Sequence, residues 1–176
     1  MPILSRNPAD HAPCPALPAL RPVRDADGLA VAALIEACFA EYPGCLFSWD
    51  EFPELRAPAS WADGRGTRMW VAEDEAGAVV GCLCATPAGS DVELHKFYVA
   101  RHWRGTGLAT SLVEQLFALA SESRAERIVL WTDTRFVRAH RFYEKLGFVR
   151  GPETRLLHDI SDSEEFFYAL SLQAPR

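Results

Sequence analysis

The sequence predicts an α/β (α+β) domain, built as a mixed, mostly antiparallel central sheet of six to seven strands with helices on both faces. Three observations predict it. Residues 69–85 read as a hairpin around the turn Asp74-Glu75-Ala76-Gly77, and another strand follows at once, so the middle of the chain makes consecutive antiparallel strands. Downstream, apolar-striped helical segments alternate with short strands, which places helices against sheet faces. At 176 residues the chain is long enough to bury a core on each side of such a sheet.

The elements follow in order. Residues 1–18 are proline-rich and lack periodicity, and are expected to form a flexible tail; residues 19–176 are expected to form a single domain. Ala19 to Val23 is a candidate first strand, with Pro22 favouring a sheet edge. Asp25 or Asp27 is expected to cap a helix with a buried face through Leu29, Ala33, Leu34, Ala37, Cys38 and Phe39, stopped by Pro43-Gly44. Residues 45–66 mix aromatics with acids, and a short helix is expected from Asp50 to about Leu55. Strands are expected at Met69–Glu73, Ala78–Ala85 and Val92–Val99. The stripe Leu108, Leu112, Val113, Leu116, Phe117 and Ala120 predicts a helix over Thr106–Ala120. Arg127–Thr132 reads as a strand buried on both faces. Phe136–Leu146 reads as a helix ended by Gly147, and Phe148–Arg150 and Phe166–Leu172 as the last strands.

Composition bounds the function. A net charge of −6 gives no support to a nucleic-acid binder, whose footprint is basic. The five cysteines form no CxxC pair and are expected to be buried free thiols, so no metal site is expected. No long apolar run or leader pattern is present, which predicts no membrane association and a cytoplasmic protein.

The chemistry-bearing stretch runs from Val92 to Ala109: a strand, a short basic turn with Gly105 and Gly107, and the start of a helix. Free amides at a helix N-terminus favour anions. Two familiar phosphate motifs fail here. No lysine follows Gly107 as a Walker loop needs, and the third glycine of a dinucleotide fingerprint is missing. Arg104-Gly105-Thr106-Gly107-Leu108-Ala109 does fit R-x-x-G-x-[GA]. It follows a strand reading Leu94…Phe97-Tyr98-Val99, and further along comes Ala139-His140-Arg141-Phe142-Tyr143-Glu144-Lys145-Leu146-Gly147-Phe148. This pair of motifs, in this order, resembles the GNAT superfamily of acyl-CoA-dependent N-acetyltransferases.

The resemblance implies the GNAT fold and acetyl-CoA as co-substrate, with no metal. It implies that amides from Arg104 through Gly105, Thr106, Gly107, Leu108 and Ala109 to Thr110 hold the pyrophosphate. Arg101, His102 and Arg104 are candidates to neutralise phosphate charge. The strand ending at Val99 is expected to splay from the one at Ile128–Thr132, with pantetheine pairing beside Phe97, Tyr98 and Val99. A backbone amide at Val99 or a neighbour would polarise the thioester carbonyl. Tyr143 matches the family's tyrosine that protonates the departing thiolate. Glu93 is the first candidate for general base, by its position before Val99. His95, on the same strand and with an ordinary pKa near ~6.5, is the second, and a water chain is a third route. One position departs from the pattern: Phe136 stands where many relatives carry Asn, so Asp133 or Thr134 is the expected cap of that helix.

The function expected is acetyl transfer from acetyl-CoA to a primary amine, small-molecule or peptide, by direct attack in a ternary complex. The acids of residues 41–63 and 159–165 favour a cationic acceptor. A non-catalytic acyl-CoA-binding module is the alternative, and a nucleotide-binding protein a third idea. A homodimer is compatible with the sequence, since two-fold dimers are the commonest assemblies.

Overall fold

The computed structural model describes residues 16–172. The proline-rich stretch therefore lies almost wholly outside the described residues, as does Cys14. Seven strands form one sheet: β1 (Ala19–Pro22), β2 (Arg68–Glu73), β3 (Val79–Ala88), β4 (Asp91–Val99), β5 (Arg127–Asp133), β6 (Val149–Leu156) and β7 (Glu164–Ser171). Their order is β1-β2-β3-β4-β5-β7-β6, and every neighbouring pair is antiparallel except β4 with β5. Four α-helices accompany the sheet among the described residues: α1 (Gly28–Phe39), α2 (Pro58–Asp63), α3 (Leu108–Glu122) and α4 (Val137–Lys145).

Each face of the sheet has its own core. On one face α3 and α4 bury Leu108, Leu112 and Leu116 against Leu83, Leu94, Ile128, Leu130 and Tyr168. On the other, α1 packs Val31, Leu34, Ile35 and Cys38 over Val71, Cys82 and Cys84. Strict alternation along β3 divides its side chains between the two: Cys82 and Cys84 face α1, Leu83 faces α3. Burial pushes the Cys82 thiol up to about 12 and the Cys84 thiol up to about 11, so both stay protonated and inert. All four cysteines among the described residues are buried and free.

Several elements differ from the expectation. The buried face of α1 is Val31-Leu34-Ile35-Cys38, while Leu29 is 75% exposed and Ala33 and Ala37 face out. Neither aspartate caps α1 by a side-chain bond. Asp27 instead takes Arg21 and the Arg24 amide, and Asp25 accepts from the Ser60 amide and hydroxyl, fastening α2. The expected helix at 50–55 is a 3₁₀ turn over Pro53–Arg56, because Pro53 and Pro58 restart the chain twice. β6 runs on to Leu156, through an irregularity between Arg150 and Thr154.

Candidate active site

The site is made by β4 leaving β5. Parallel pairing runs from Asp91↔Arg127 to Leu94↔Leu130 and stops there, while β4 continues to Val99. A bulge marks the parting. Cys84 faces Lys96 and Ala85 faces Leu94, so His95 is the extra residue on β4. The bulge also resets the side-chain alternation. Val92 and Leu94 face the α3 core, and so do Phe97 and Val99, an odd step later, while Lys96 and Tyr98 turn toward α1 and the aromatic residues beyond it.

Beyond the bulge the second edge of β4 is open. Ala100 donates its amide to the Val80 carbonyl on β3 at 2.8 Å. Alternation then directs the Tyr98 amide to β3 as well, and the Phe97 and Val99 amides to the open edge. That edge borders a cleft of about 900 Å³. Phe97, Tyr98 and Val99 line one side, Arg104, Gly105, Gly107, Ala109 and Thr110 another, and α4 closes it. Thr106 and Leu108 lie just behind this wall. The Thr106 hydroxyl donates to the Trp103 carbonyl at 2.8 Å, and Leu108 is fully buried.

The turn itself depends on its glycines. Gly105 has φ +79° and Gly107 has φ +101°, the left-handed region that side chains avoid. A Cβ at Gly105 would meet nothing within 4 Å, so backbone conformation, not crowding, requires the glycine there. Gly105, Gly107, Ala109 and Thr110 then line the cleft at the start of α3.

Arg104 does something its motif position does not announce. Its Nη atoms hold both Glu41 oxygens at 2.7 Å, and its Nε donates to the Val99 carbonyl at 2.9 Å. One Nη also lies 3.6 Å from Cys38 Sγ. The side chain thus fastens the end of β4 to the segment after α1, and Glu41 holds the guanidinium protonated. Its own backbone remains in the turn.

The candidate catalytic residues sit apart from the cleft walls. Tyr143 on α4 is 6% exposed, its ring 6.4 Å from that of Phe97. Burial alone raises its phenol well above the ordinary value, so it is protonated at neutral pH. His95 Nε2 lies 2.9 Å from Thr86 Oγ1, and its Nδ1 lies 3.8 Å from Glu93 Oε1. Burial lowers the His95 pKa below 6.5, and Glu93 only partly opposes this. The two base candidates are therefore neighbours at the bulge, with the imidazole neutral at pH 7.

Sequence reading missed most of the α4 wall. Arg138, Arg141 and Lys145 line the cleft from one helix face, and their spacing of three and four was a legible signal. Cys38 and Tyr42 line it from α1 and the residues after it, which no local pattern indicates. Phe136 takes the place of the usual Asn by packing on Tyr42 and Phe39, with ring centroids 4.8 and 5.9 Å away. Neither Asp133 nor Thr134 caps α4. Asp133 instead accepts from the Arg135 amide and side chain.

The site thus combines a parallel pair that splays at a bulge with a left-handed glycine turn into a helix. The model of the acetyltransferase (GNAT) family matches residues 30–148, more than half of the chain. The chain belongs to the GNAT acetyltransferase family. The N-acetylaspartate synthetase of Danio rerio is 37% identical over 91 residues, which are 51% of this chain and 32% of that protein. An uncharacterized N-acetyltransferase of Mycobacterium tuberculosis is 40% identical over 65 residues, 36% of this chain and 42% of that one. The chain thus matches less than half the length of either relative. Among solved structures, a GNAT-family acetyltransferase from Staphylococcus aureus superposes with a TM-score of 0.72 at 18% identity, over 88% of this chain and all of that one. A Bacillus anthracis structure described as a streptothricin acetyltransferase in complex with acetyl coenzyme A gives 0.54 at 23% identity, over 62% of this chain and 65% of that one. The likeness to these structures is one of fold. Among the described residues no helix is long and apolar enough to cross a membrane.

Proposed function

We propose that this GNAT protein transfers acetyl from acetyl-CoA to a primary amine by direct attack in a ternary complex. The observation that carries the reading is the open edge of β4 beside the left-handed turn at Gly105 and Gly107. The cleft between them suits coenzyme A by charge and shape. Pyrophosphate meets the amides from Arg104 to Thr110 at the N-terminus of α3. Arg138, Arg141 and Lys145 add positive charge along the same cleft. Pantetheine then adds as a strand to the edge that β5 has left, using the Phe97 and Val99 backbone.

At the bulge the amine nitrogen attacks the thioester carbon. An open-edge amide, that of Phe97 or Val99, stabilises the oxygen as it gains charge. The C–S bond breaks, the acetamide leaves with one proton fewer, and sulfur gains one. His95, neutral and beside Glu93, takes the proton from the amine. Tyr143 donates a hydrogen bond to the departing sulfur, its raised pKa keeping it in the donor form; the thiolate takes its proton from solvent, to which His95 returns the proton of the amine.

The acceptor can be read in two ways. The acidic loops favour a cation on charge count. Yet Glu41 holds Arg104, Glu51 the Ile160 amide, Glu54 Lys96 and Asp159 the Ser163 amide, so about half of those carboxylates are already engaged. The name of the Danio rerio relative favours an amino-acid acceptor instead. The test is a panel of amines with acetyl-CoA, read by thiol release and product mass. An acetylated amine supports the reading. CoA binding without turnover of any amine would favour an acyl-CoA-binding module.

A further inference from the structure

The face of the sheet opposite α3 and α4 is roofed by α1 and α2 over β2, β3 and β4. Beyond β4 that face carries a different group of residues. Trp131 faces Phe167 across the β5–β7 pair, with ring centroids 5.1 Å apart. Arg155 faces Glu165 across the β6–β7 pair, and its Nε lies 2.6 Å from Glu165 Oε2. The Arg155 guanidinium lies over the Trp131 ring, 4.5 Å from its centroid. Leu130 and Tyr168 point the other way, into the α3 core, so Trp131 and Arg155 stand on the far side of the sheet from it.

Their place is specific. Leu94↔Leu130 is the last pair of the β4–β5 ladder, so Trp131 is the first residue of β5 on this face once the strands part. Across the parting stands His95, whose imidazole senses the Arg155 charge. A molecule that approaches the gap from this face passes over Trp131.

We propose that Arg155 anchors a carboxylate of the acceptor, which makes the acceptor class amino acids. This rests on the acetyltransferase reading above and names its second substrate. The ring of Trp131 and the bond from Nε to Glu165 fix the guanidinium plane. Both Nη groups have no hydrogen-bond partner among the described residues, and the side chain is 45% exposed. A fixed, half-exposed fork with its outer donors free matches a carboxylate. An α-amino acid carries its nitrogen two bonds from that carboxylate, so the anchor requires the fork and the bulge to be spanned by one such molecule. Its ammonium then meets Glu93 and His95, which reconciles the acidic surroundings with an anionic anchor.

The experiment compares L-aspartate and L-alanine with their carboxamides, in wild-type, Arg155→Gln and Arg155→Lys proteins. Turnover is read with acetyl-CoA, and binding by calorimetry on the CoA complex. The expected result is a preference for the carboxylates, although the amides have the less basic and more readily deprotonated amine. Arg155→Gln is expected to raise the acceptor KM about tenfold to a hundredfold and erase the preference, with KM for acetyl-CoA unchanged. Arg155→Lys is expected to restore part of it. Unchanged CoA affinity shows that the variants are folded. Carboxylate-selective binding that needs Arg155 but gives no turnover would keep the anchor and sink the transferase reading. Equal use of amides and carboxylates, a preference that survives Arg155→Gln, or no binding of any carboxylate overturns the anchor.

Discussion

At the scale of single residues, the proposed chemistry divides between groups whose protonation is set by burial. Tyr143 has its pKa raised because the phenolate would be desolvated, and His95 has its pKa lowered because the imidazolium would be. Tyr143→Phe keeps the ring contacts with Phe97, Phe142 and Phe148 and removes only the donor. It should lower kcat about a hundredfold with little change in KM or in melting temperature; an unchanged kcat removes Tyr143 from the mechanism. If His95 is the base, the acid limb of kcat/KM falls below pH 6.5, since activity needs the neutral ring. Glu93→Gln should move that limb lower still, because Glu93 is the neighbour that raises the histidine. A pH–rate profile settles both, and a limb that persists in His95→Gln assigns the proton to another group.

At the scale of elements, the turn from β4 into α3 is where conformation and binding meet. Gly107→Ala places a side chain at φ +101° and should destabilise the fold by about 1–2 kcal/mol. It should also raise the KM for acetyl-CoA, because the amides of α3 re-aim. Gly66, at φ +65° with nothing within 4 Å of its Cβ position, is the control. Gly66→Ala should lower stability alike in denaturant melts and leave the KM alone. The motif that reads R-x-x-G-x-[GA] was fully legible in sequence, because left-handed backbone has a residue signature. The use of the Arg104 side chain was not. Its partner Glu41 is distant in sequence, and only the crossing of α1 over β4 brings them together.

At the scale of the whole molecule, two cores hold a sheet that is deliberately incomplete between β4 and β5. A ligand that fills that gap binds only the folded state. Acetyl-CoA at a hundred times its Kd should add about 2.7 kcal/mol, which for a chain of this size is a rise in melting temperature of about 5–10 °C. No shift with acetyl-CoA would contradict the placement of the donor. Acid has the opposite effect through two histidines. His95 and His140 both have folded pKa values lowered by burial from the ordinary 6.5. Between the folded and unfolded values the unfolded chain binds more protons, so stability rises with pH there and is lost as pH falls below 6.5. Denaturant melts at pH 7 and pH 5 measure the slope. His140, which bonds the Asp133 carbonyl at 2.9 Å, should carry part of it, so His140→Gln should flatten it.

The sequence by itself determined the sheet, the order of the elements and the glycine turn into α3. Those rest on local signals: alternation for strands, the apolar stripe of α3, and glycines where φ must be positive. It placed Leu34, Cys38 and Phe39 of the α1 face correctly but Leu29, Ala33 and Ala37 wrongly, because the apolar residues outnumber those one face can hold and periodicity alone does not choose among them. Only the tertiary structure decided that His95 is the bulged residue, that Arg104 is held by Glu41, and that Arg155 lies on Trp131 where the strands part. Each joins residues far apart in the chain, and such contacts are set by packing, which leaves no periodic trace in the residues it brings together.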